Sequence, residues 1–261
     1  MIPLLYKAWL ETRTRFIVGL IALCGFSVFL VSHYPPQLEH LATWALTHPA
    51  AHRPWWFERE VHSYRFYVWH RQYDGLFRDM WMVSAVPFAV GGLTQESVKG
   101  SAAFSLSLPA KRNRFTIAYS VVTCAELLLL ALSSALIPLM SSFVGESYPV
   151  TEALSHSLIL FLGGLVIFGF THLLASKLAS PSLPVIVGIA SVIILGTVIA
   201  PFDNPRDEPA LSRSIDLFRL MSGPSDSRWH TVPWTGLLIS AGLFVLSFFA
   251  ASALINSRDY R

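Results

Sequence analysis

Long apolar runs separated by short polar segments dominate the chain. Five runs approach or exceed the roughly 20 residues that an α-helix needs to cross a bilayer core. A sixth run, residues 80–93, is only 14 residues long and contains Pro87 and paired glycines, so its length alone also fits a re-entrant or interfacial segment. The pattern predicts six spans, at about residues 16–32, 76–93, 115–140, 153–175, 183–202 and 233–255.

The distribution of charge favours a crossing by the short second run. With six spans and the N-terminus inside, the inner segments hold ten basic and three acidic residues, a net charge of +7, and the outer segments have a net charge of −3. Inner loops rich in Lys and Arg follow the positive-inside rule. If the second run did not cross, the basic cluster at residues 111–114 would lie outside. We therefore expect an all-α integral membrane protein with both termini cytoplasmic and one transmembrane domain, residues 1–261.

Two long connections lie outside in this topology, residues 33–75 and 203–232. The first is rich in aromatic residues, and its segment 58–73 predicts an amphipathic helix at the outer membrane surface. In the second, residues 208–221 predict a short helix. The first apolar run lacks a small-x-small cleavage site and is predicted to be a retained span.

Composition excludes several classes of protein. Hydrophobic residues make up 53%, charged residues 13%, and mean hydropathy is +0.52, which excludes a disordered chain, a collagen or a disulfide scaffold. The sequence has no GxxxxGK[ST] phosphate loop, HExxH, GxSxG or CxxC motif. Histidines cluster in the first outer connection, but their spacing does not create a common face for a metal. We expect no catalytic residue, metal or cofactor on this chain and no nucleic-acid partner.

The segment from Gly91 to the basic cluster is the most informative. Thr94 is suited to cap a helix, and Glu96 lies in the first turn, where a carboxylate is favoured by the helix dipole. Gly100 lies in a surface of small residues, and Pro109 ends the helix. The residues alone are equally compatible with an ordinary inner loop.

This segment resembles the type-2 permease family of ATP-binding-cassette exporters. The matching residues are Gly91-Gly92, Glu96, Gly100, Phe104-Ser105-Leu106-Ser107-Leu108-Pro109 and Lys111-Arg112-x-Arg114. Residues 3–13 also resemble the amphipathic N-terminal helix of such permeases, and the six-span topology is similar to that of the family. One departure is Ala110, where members often carry Ser or another polar residue.

The resemblance implies a coupling helix between spans 2 and 3 that docks on a separate P-loop ATPase subunit. The residues implicated in this docking are Thr94, Glu96, Ser97, Lys99, Gly100 and Phe104. It further implies a permease dimer, either homo- or heterodimeric, in the inner (plasma) membrane. ATP and Mg would be bound by the ATPase partner, and this chain would not itself be an enzyme. The substrate is not identified by the sequence.

Glu126 is the carboxylate well inside a predicted span, and intramembrane acids are costly. Tyr119 and Thr123 share its helical face, so a polar stripe runs along the third span. We predict that Glu126 faces protein or a water-lined cavity and not lipid. The stripe either forms a wall of the transport pathway or holds neighbouring helices together by hydrogen bonds.

Two other classes of function fit the sequence. One is a multi-span membrane enzyme with its active site in the outer loops. The other is a non-transporting membrane scaffold or assembly factor. A phosphate-loop ATPase encoded next to this chain would favour the exporter over both.

Overall fold

The computed structural model describes residues 1–48, 53–54, 56–100, 107, 111–178, 180, 182–199, 217–225 and 232–257. Within these ranges every regular element is a helix. The α-helices are α1 (Ile2–Ser32), α2 (Tyr34–Thr47), α3 (Phe57–His62), α4 (Tyr64–Val68), α5 (Leu76–Ala89), α6 (Leu93–Lys99), α7 (Arg112–Leu132), α8 (Leu136–Ser141), α9 (Val150–Lys177), α10 (Leu183–Ile199), α11 (Leu217–Ser222) and α12 (Trp234–Ser257). A π-helical turn (Trp69–Tyr73) follows α4, and 3-10 turns flank α8 (Ser133–Ala135 and Ser142–Val144).

Four long apolar helical segments mark the chain as an all-α membrane protein. In the part of the chain that the structure describes, they are Ile2–Ser32, Arg112–Val144, Val150–Lys177 and Trp234–Ser257. The predicted amphipathic N-terminal helix and first span are one continuous helix, α1. The other two predicted spans correspond to shorter helices, α5 with 14 residues and α10 with 17.

The short helix α5 lies at the centre of the bundle. It contacts α1, α7, α9 and α10, and eight of its 14 residues are buried. At 1.5 Å per residue it is about 21 Å long, shorter than the roughly 30 Å of a bilayer core. Because other helices surround α5, protein and not lipid covers most of its surface.

Small residues in the apolar runs, Gly163, Gly164 and Gly169 in the fourth predicted span with Gly188 and Gly196 in the fifth, predict close helix packing. In the structure the first four lie against side chains of neighbouring helices, whereas the surroundings of Gly196 are outside what the structure describes. The ring of Trp81 on α5 lies directly against Gly164 of α9, where a Cβ would overlap it. Trp81 is fully buried, and its Nε1 donates a hydrogen bond to the Leu127 carbonyl of α7 at 3.0 Å. The prediction of close helix packing is confirmed at these four glycines.

The first long connection differs from its prediction. Instead of one amphipathic helix over residues 58–73, it forms α3, α4 and the π-helical turn. Ser63 separates α3 from α4 because its backbone is extended (φ −146°, ψ 107°), and its hydroxyl caps α4 by accepting from the Phe66 amide at 3.2 Å. Tyr64 and Tyr67 are buried against α1 and the start of α2. The prediction of a single surface helix is therefore wrong, because these aromatic residues form a second protein core.

The predicted helix of the second long connection is described only in its last part. Residues 217–222 form α11, which packs against α9, whereas residues 208–216 lie outside the described ranges. Met221 of α11 is fully buried and lies against Gly163. This connection therefore also contributes to the core of the bundle.

We predict that Gly164→Ala lowers the free energy of unfolding by about 1–3 kcal/mol, because the added methyl group overpacks the contact with Trp81. Gly242→Ala on α12 is the matched control, since no described atom lies within 4 Å of the position that its added methyl group would take. Thermal unfolding of the purified variants in detergent measures the difference. Equal melting temperatures for the two variants would contradict the packing described for α5 and α9.

Candidate functional site at the end of the central helix

Helix α5 ends abruptly inside the bundle. Its last residue is Ala89, Val90 is extended (φ −104°, ψ 100°), and the pair Gly91-Gly92 turns the chain into α6. The last carbonyl groups of an α-helix have no partner within the helix, and leaving them unsatisfied away from water is costly. We call this turn, with the side chains that bind the carbonyls of residues 87–90, the α5–α6 junction.

Three helices supply donors to the junction. From α1, Arg15 Nη1 donates to the Pro87 carbonyl at 2.5 Å and the Val90 carbonyl at 2.8 Å. From α7, the Tyr119 hydroxyl donates to the Phe88 carbonyl at 2.9 Å. The Ala89 carbonyl lies 3.0 Å from His172 Nδ1 on α9, which donates when that nitrogen carries the proton. All four carbonyls are thus hydrogen-bonded by side chains.

The paired glycines are required for different reasons. A Cβ on Gly91 would overlap the hydroxyl end of Tyr119, so a side chain there would displace the donor to Phe88. Gly92 has φ +62°, a conformation that L side chains rarely adopt. The first glycine therefore permits the approach of Tyr119, and the second permits the turn.

Helix α6 begins earlier than the sequence predicted. Gly92 and not Thr94 is its N-cap, and the Thr94 hydroxyl donates to the Gly91 carbonyl at 2.7 Å. The prediction of a Thr94 cap is wrong, because the turn at Gly92 places Thr94 inside the first helical turn. Glu96 lies in this turn, as predicted, and forms an ion pair with Lys7 of α1.

Apolar contacts also hold α6 to the bundle. Leu93 packs with Phe115 of α7 and Ile255 of α12, and Leu4 of α1 covers this cluster. The Lys7 ammonium lies 5.7 Å from the centroid of the Phe115 ring, within the range of a cation–π contact. A helix of seven residues is thereby attached to α1, α7 and α12.

Helix α6 ends at Lys99 and does not continue to Pro109 as predicted, and fewer described residues surround this end than surround its start. Gly100 is its C-cap in the left-handed conformation (φ +75°), and no described atom lies within 4 Å of where its Cβ would be. Its backbone conformation therefore favours glycine. Ser97 is half-buried. Lys99 is the last residue of α6, but its side chain and the whole of Phe104 lie outside the described residues.

Glu126 lies two turns along α7 from Tyr119. It is 3% exposed, and the Thr12 hydroxyl of α1 donates to its Oε1 at 2.6 Å. The prediction that Glu126 faces protein is confirmed. Thr123 is fully buried but donates to the Tyr119 carbonyl of its own helix, at 2.9 Å. The predicted polar stripe therefore divides: Tyr119 binds the junction, and Glu126 binds α1.

Sequence reasoning missed three residues of this site. The sequence patterns single out neither Thr12 nor His172, and they give Arg15 no role beyond that of a positive charge on the inner side. The available signal was their position at or inside apolar runs, where polar side chains need a partner. The identity of each partner depends on which helices are neighbours, and no local pattern contains that information.

The chain matches no protein-family model, no curated protein and no solved structure.

We predict that Thr12→Val lowers the free energy of unfolding by about 1–2 kcal/mol, because it leaves the buried Glu126 side chain without its donor. In a double-mutant cycle with Glu126→Gln, the two changes should be non-additive by at least about 0.5 kcal/mol. Thermal or chemical unfolding in detergent provides the measurement.

Thr43→Val is the matched control. Each hydroxyl lies within hydrogen-bond distance of the carbonyl four residues earlier in its own helix, at 3.0 Å for Thr12 and 2.8 Å for Thr43, but Thr43 is exposed. Only Thr12 bonds to a second helix in the described structure. Strict additivity of Thr12→Val and Glu126→Gln would show that this bond contributes nothing.

Proposed function

We propose that the chain is the permease subunit of an ATP-binding-cassette exporter and that α6 is its coupling helix. The observation that carries the proposal is the attachment of α6. Through the α5–α6 junction it follows directly from the central helix, whose end is hydrogen-bonded to α1, α7 and α9. A displacement of α6 would therefore reach four helices of the bundle. The sequence resemblance between residues 91 and 114 supports the same assignment.

The proposed topology has six spans, with both termini cytoplasmic, in the plasma membrane. Helices α5 and α10 are the second and fifth spans, and the protein around α5 makes a short span tolerable. The charge difference, +7 inside and −3 outside, supports this orientation. It places α6 on the cytoplasmic side, where an ATPase would be.

In the proposed mechanism two permease chains, identical or different, face each other, each with a P-loop ATPase subunit beneath α6. ATP and Mg bind to the ATPases, and closure of the ATPases pushes the two coupling helices. The permease dimer then changes from inward-open to outward-open. A partner shifts such an equilibrium only by binding the two states differently, so α6 must contact the ATPase differently in each.

The ion pair between Lys7 and Glu96 gives α6 a second route to the bundle. Lys7 is near the start of α1, and Thr12 and Arg15 follow on the same helix, bonded to α7 and α5. A push on α6 would therefore act on α1 directly as well as through α5. In this proposal Glu126 holds α1 to α7 and is not itself a gate.

We predict that Gly100→Trp reduces both co-purification of the ATPase and transport-coupled ATP hydrolysis by roughly tenfold or more. The reason is that an indole at the C-terminal end of α6 would keep the ATPase surface away. A tenfold loss of affinity corresponds to about 1.4 kcal/mol of binding free energy. Gly100→Ala separates bulk from strain, since it imposes the same backbone cost at φ +75° with one methyl group.

Gly145→Trp is the control for a bulky residue elsewhere. Gly145 has a similar backbone conformation (φ +76°), and no described atom lies within 4 Å of its Cβ position. It follows α8 and is remote in sequence from α6. The proposal requires Gly145→Trp and Gly100→Ala to keep the ATPase bound. Normal ATPase binding by Gly100→Trp would remove α6 as the docking element.

A further inference from the structure

An open cavity of about 440 Å³ lies at the opposite end of α1 from α6. One wall is apolar and is formed by Phe26, Phe29 and Leu30 of α1. The polar part of the lining includes His33, whose ring stacks on Phe29 with the centroids 5.1 Å apart, and Arg71 of the π-helical turn. The cavity is therefore amphipathic, which is unlike the closely packed interior of the bundle.

The position of the cavity along α1 matches the boundary between headgroups and acyl chains. Arg15 and His33 flank the apolar part of α1 and are 18 residues apart, or about 27 Å at 1.5 Å per residue. This is close to the roughly 30 Å thickness of a bilayer core. His33 thus lies at headgroup level. Phe29 is one turn deeper, at the level of acyl chains, and is 57% exposed.

A buried carboxylate fixes the polar wall. Glu60 of α3 is 0% exposed and accepts from Arg71 Nε at 2.8 Å and Nη2 at 2.9 Å. His70 Nδ1 lies 2.5 Å from the same carboxylate. Trp56 packs against Arg71 and His70. Its ring centroid lies 5.2 Å from the guanidinium carbon of Arg71 and 5.6 Å from the centroid of the His70 ring.

The charge of Glu60 is maintained by these contacts. Burial alone would raise the pKa of its carboxyl group, but the hydrogen bonds from His70 and Arg71 outweigh burial, and the pKa is lowered. Glu60 therefore remains a carboxylate that orients Arg71. Within the described structure Arg71 uses Nε and Nη2 for this purpose, and its Nη1 makes no hydrogen bond.

Asp74 is the acidic residue among those that line the cavity, and it is hydrogen-bonded to side chains of the helix bundle. Asp74 accepts from Arg78 Nη1 at 3.1 Å and from the Ser222 hydroxyl at 2.7 Å. Arg78 also lies over the Phe218 ring and is largely buried. Arg78 Nε also donates to Asp79 at 3.1 Å, so the two carboxylates share this guanidinium. Among the charged side chains that line the cavity, Arg71 has a donor, Nη1, without a hydrogen bond in the described structure.

We propose that this cavity binds one phospholipid of the adjacent leaflet. The phosphate accepts hydrogen bonds from Arg71 Nη1, for which a guanidinium is well suited. The first part of an acyl chain lies against Phe29 and Leu30 and continues along the exposed face of α1, where Val18 is 63% and Ile21 67% exposed. A water-soluble phosphate would leave the apolar wall uncovered. This proposal does not depend on the transport function.

The test is native mass spectrometry of the purified full-length chain, titrated separately with three probes. The probes are phosphatidylglycerol, a diacylglycerol with the same chains, and glycerol 3-phosphate. We expect the first molecule of phosphatidylglycerol to bind roughly tenfold more tightly than the first molecule of diacylglycerol. Glycerol 3-phosphate should not bind. Arg71→Gln should weaken phosphatidylglycerol binding by roughly tenfold and leave diacylglycerol binding unchanged. The control is Arg59→Gln, on α3 but outside the cavity wall.

Leu76→Trp provides a second variant in case Arg71→Gln does not fold. Leu76 lines the cavity and is 55% exposed, so an indole there fills the space without disturbing the core. Leu76→Trp should weaken the binding of both lipids. Leu139 is 68% exposed on α8, and Leu139→Trp should leave their binding unchanged. Equal phosphatidylglycerol affinity in wild type, Arg71→Gln and Leu76→Trp would overturn the proposal. Binding of glycerol 3-phosphate as tight as that of the phospholipid would also overturn it.

Discussion

The hydrogen bonding of the carbonyl groups at the end of α5 is the constraint on which the rest of the structure depends. A helix that ends among other apolar helices leaves carbonyl groups away from water, and protein donors must satisfy them. Arg15, Tyr119 and His172 do so from three different helices. Their convergence fixes how α1, α7 and α9 are placed around α5, and it explains why Gly91 carries no side chain.

Helix α1 connects the polar sites of the molecule. Along its length Lys7 pairs with α6, Thr12 with α7 and Arg15 with the end of α5. Further along, the Ser27 hydroxyl accepts from Gln72 Nε2 at 2.9 Å, and beyond that the helix forms the apolar wall of the proposed lipid cavity. One helix therefore joins the proposed ATPase-docking element to the opposite end of the bundle. Lipid tails are as apolar as these helix surfaces, so close van der Waals packing holds the helices together, and the polar bonds select one arrangement of them.

Local patterns predicted the membrane class, the close-packing glycines and the burial of Glu126, because hydropathy and spacing depend on a helix alone. They did not predict that Thr12 binds Glu126 or that His172 lies at Ala89, since those pairs depend on helix neighbours. The sequence pattern places the aromatic residues around Tyr64 at the membrane surface, yet aromatic side chains suit a protein core equally well. The cap of α6 was misplaced because the sequence does not reveal the positive φ of Gly92.

The most direct measurement of the central claim is site-specific photo-crosslinking in cells, with a photoreactive amino acid at Ser97 of α6. A second position, Phe143, is 83% exposed, follows α8 and serves as the control. Mass spectrometry of the adducts identifies what each position touches. At Ser97 we expect adducts with an ATPase that has a phosphate-loop sequence, and at Phe143 we expect none. Adducts with lipid alone at Ser97, or the same ATPase at both positions, would contradict the docking of an ATPase on α6.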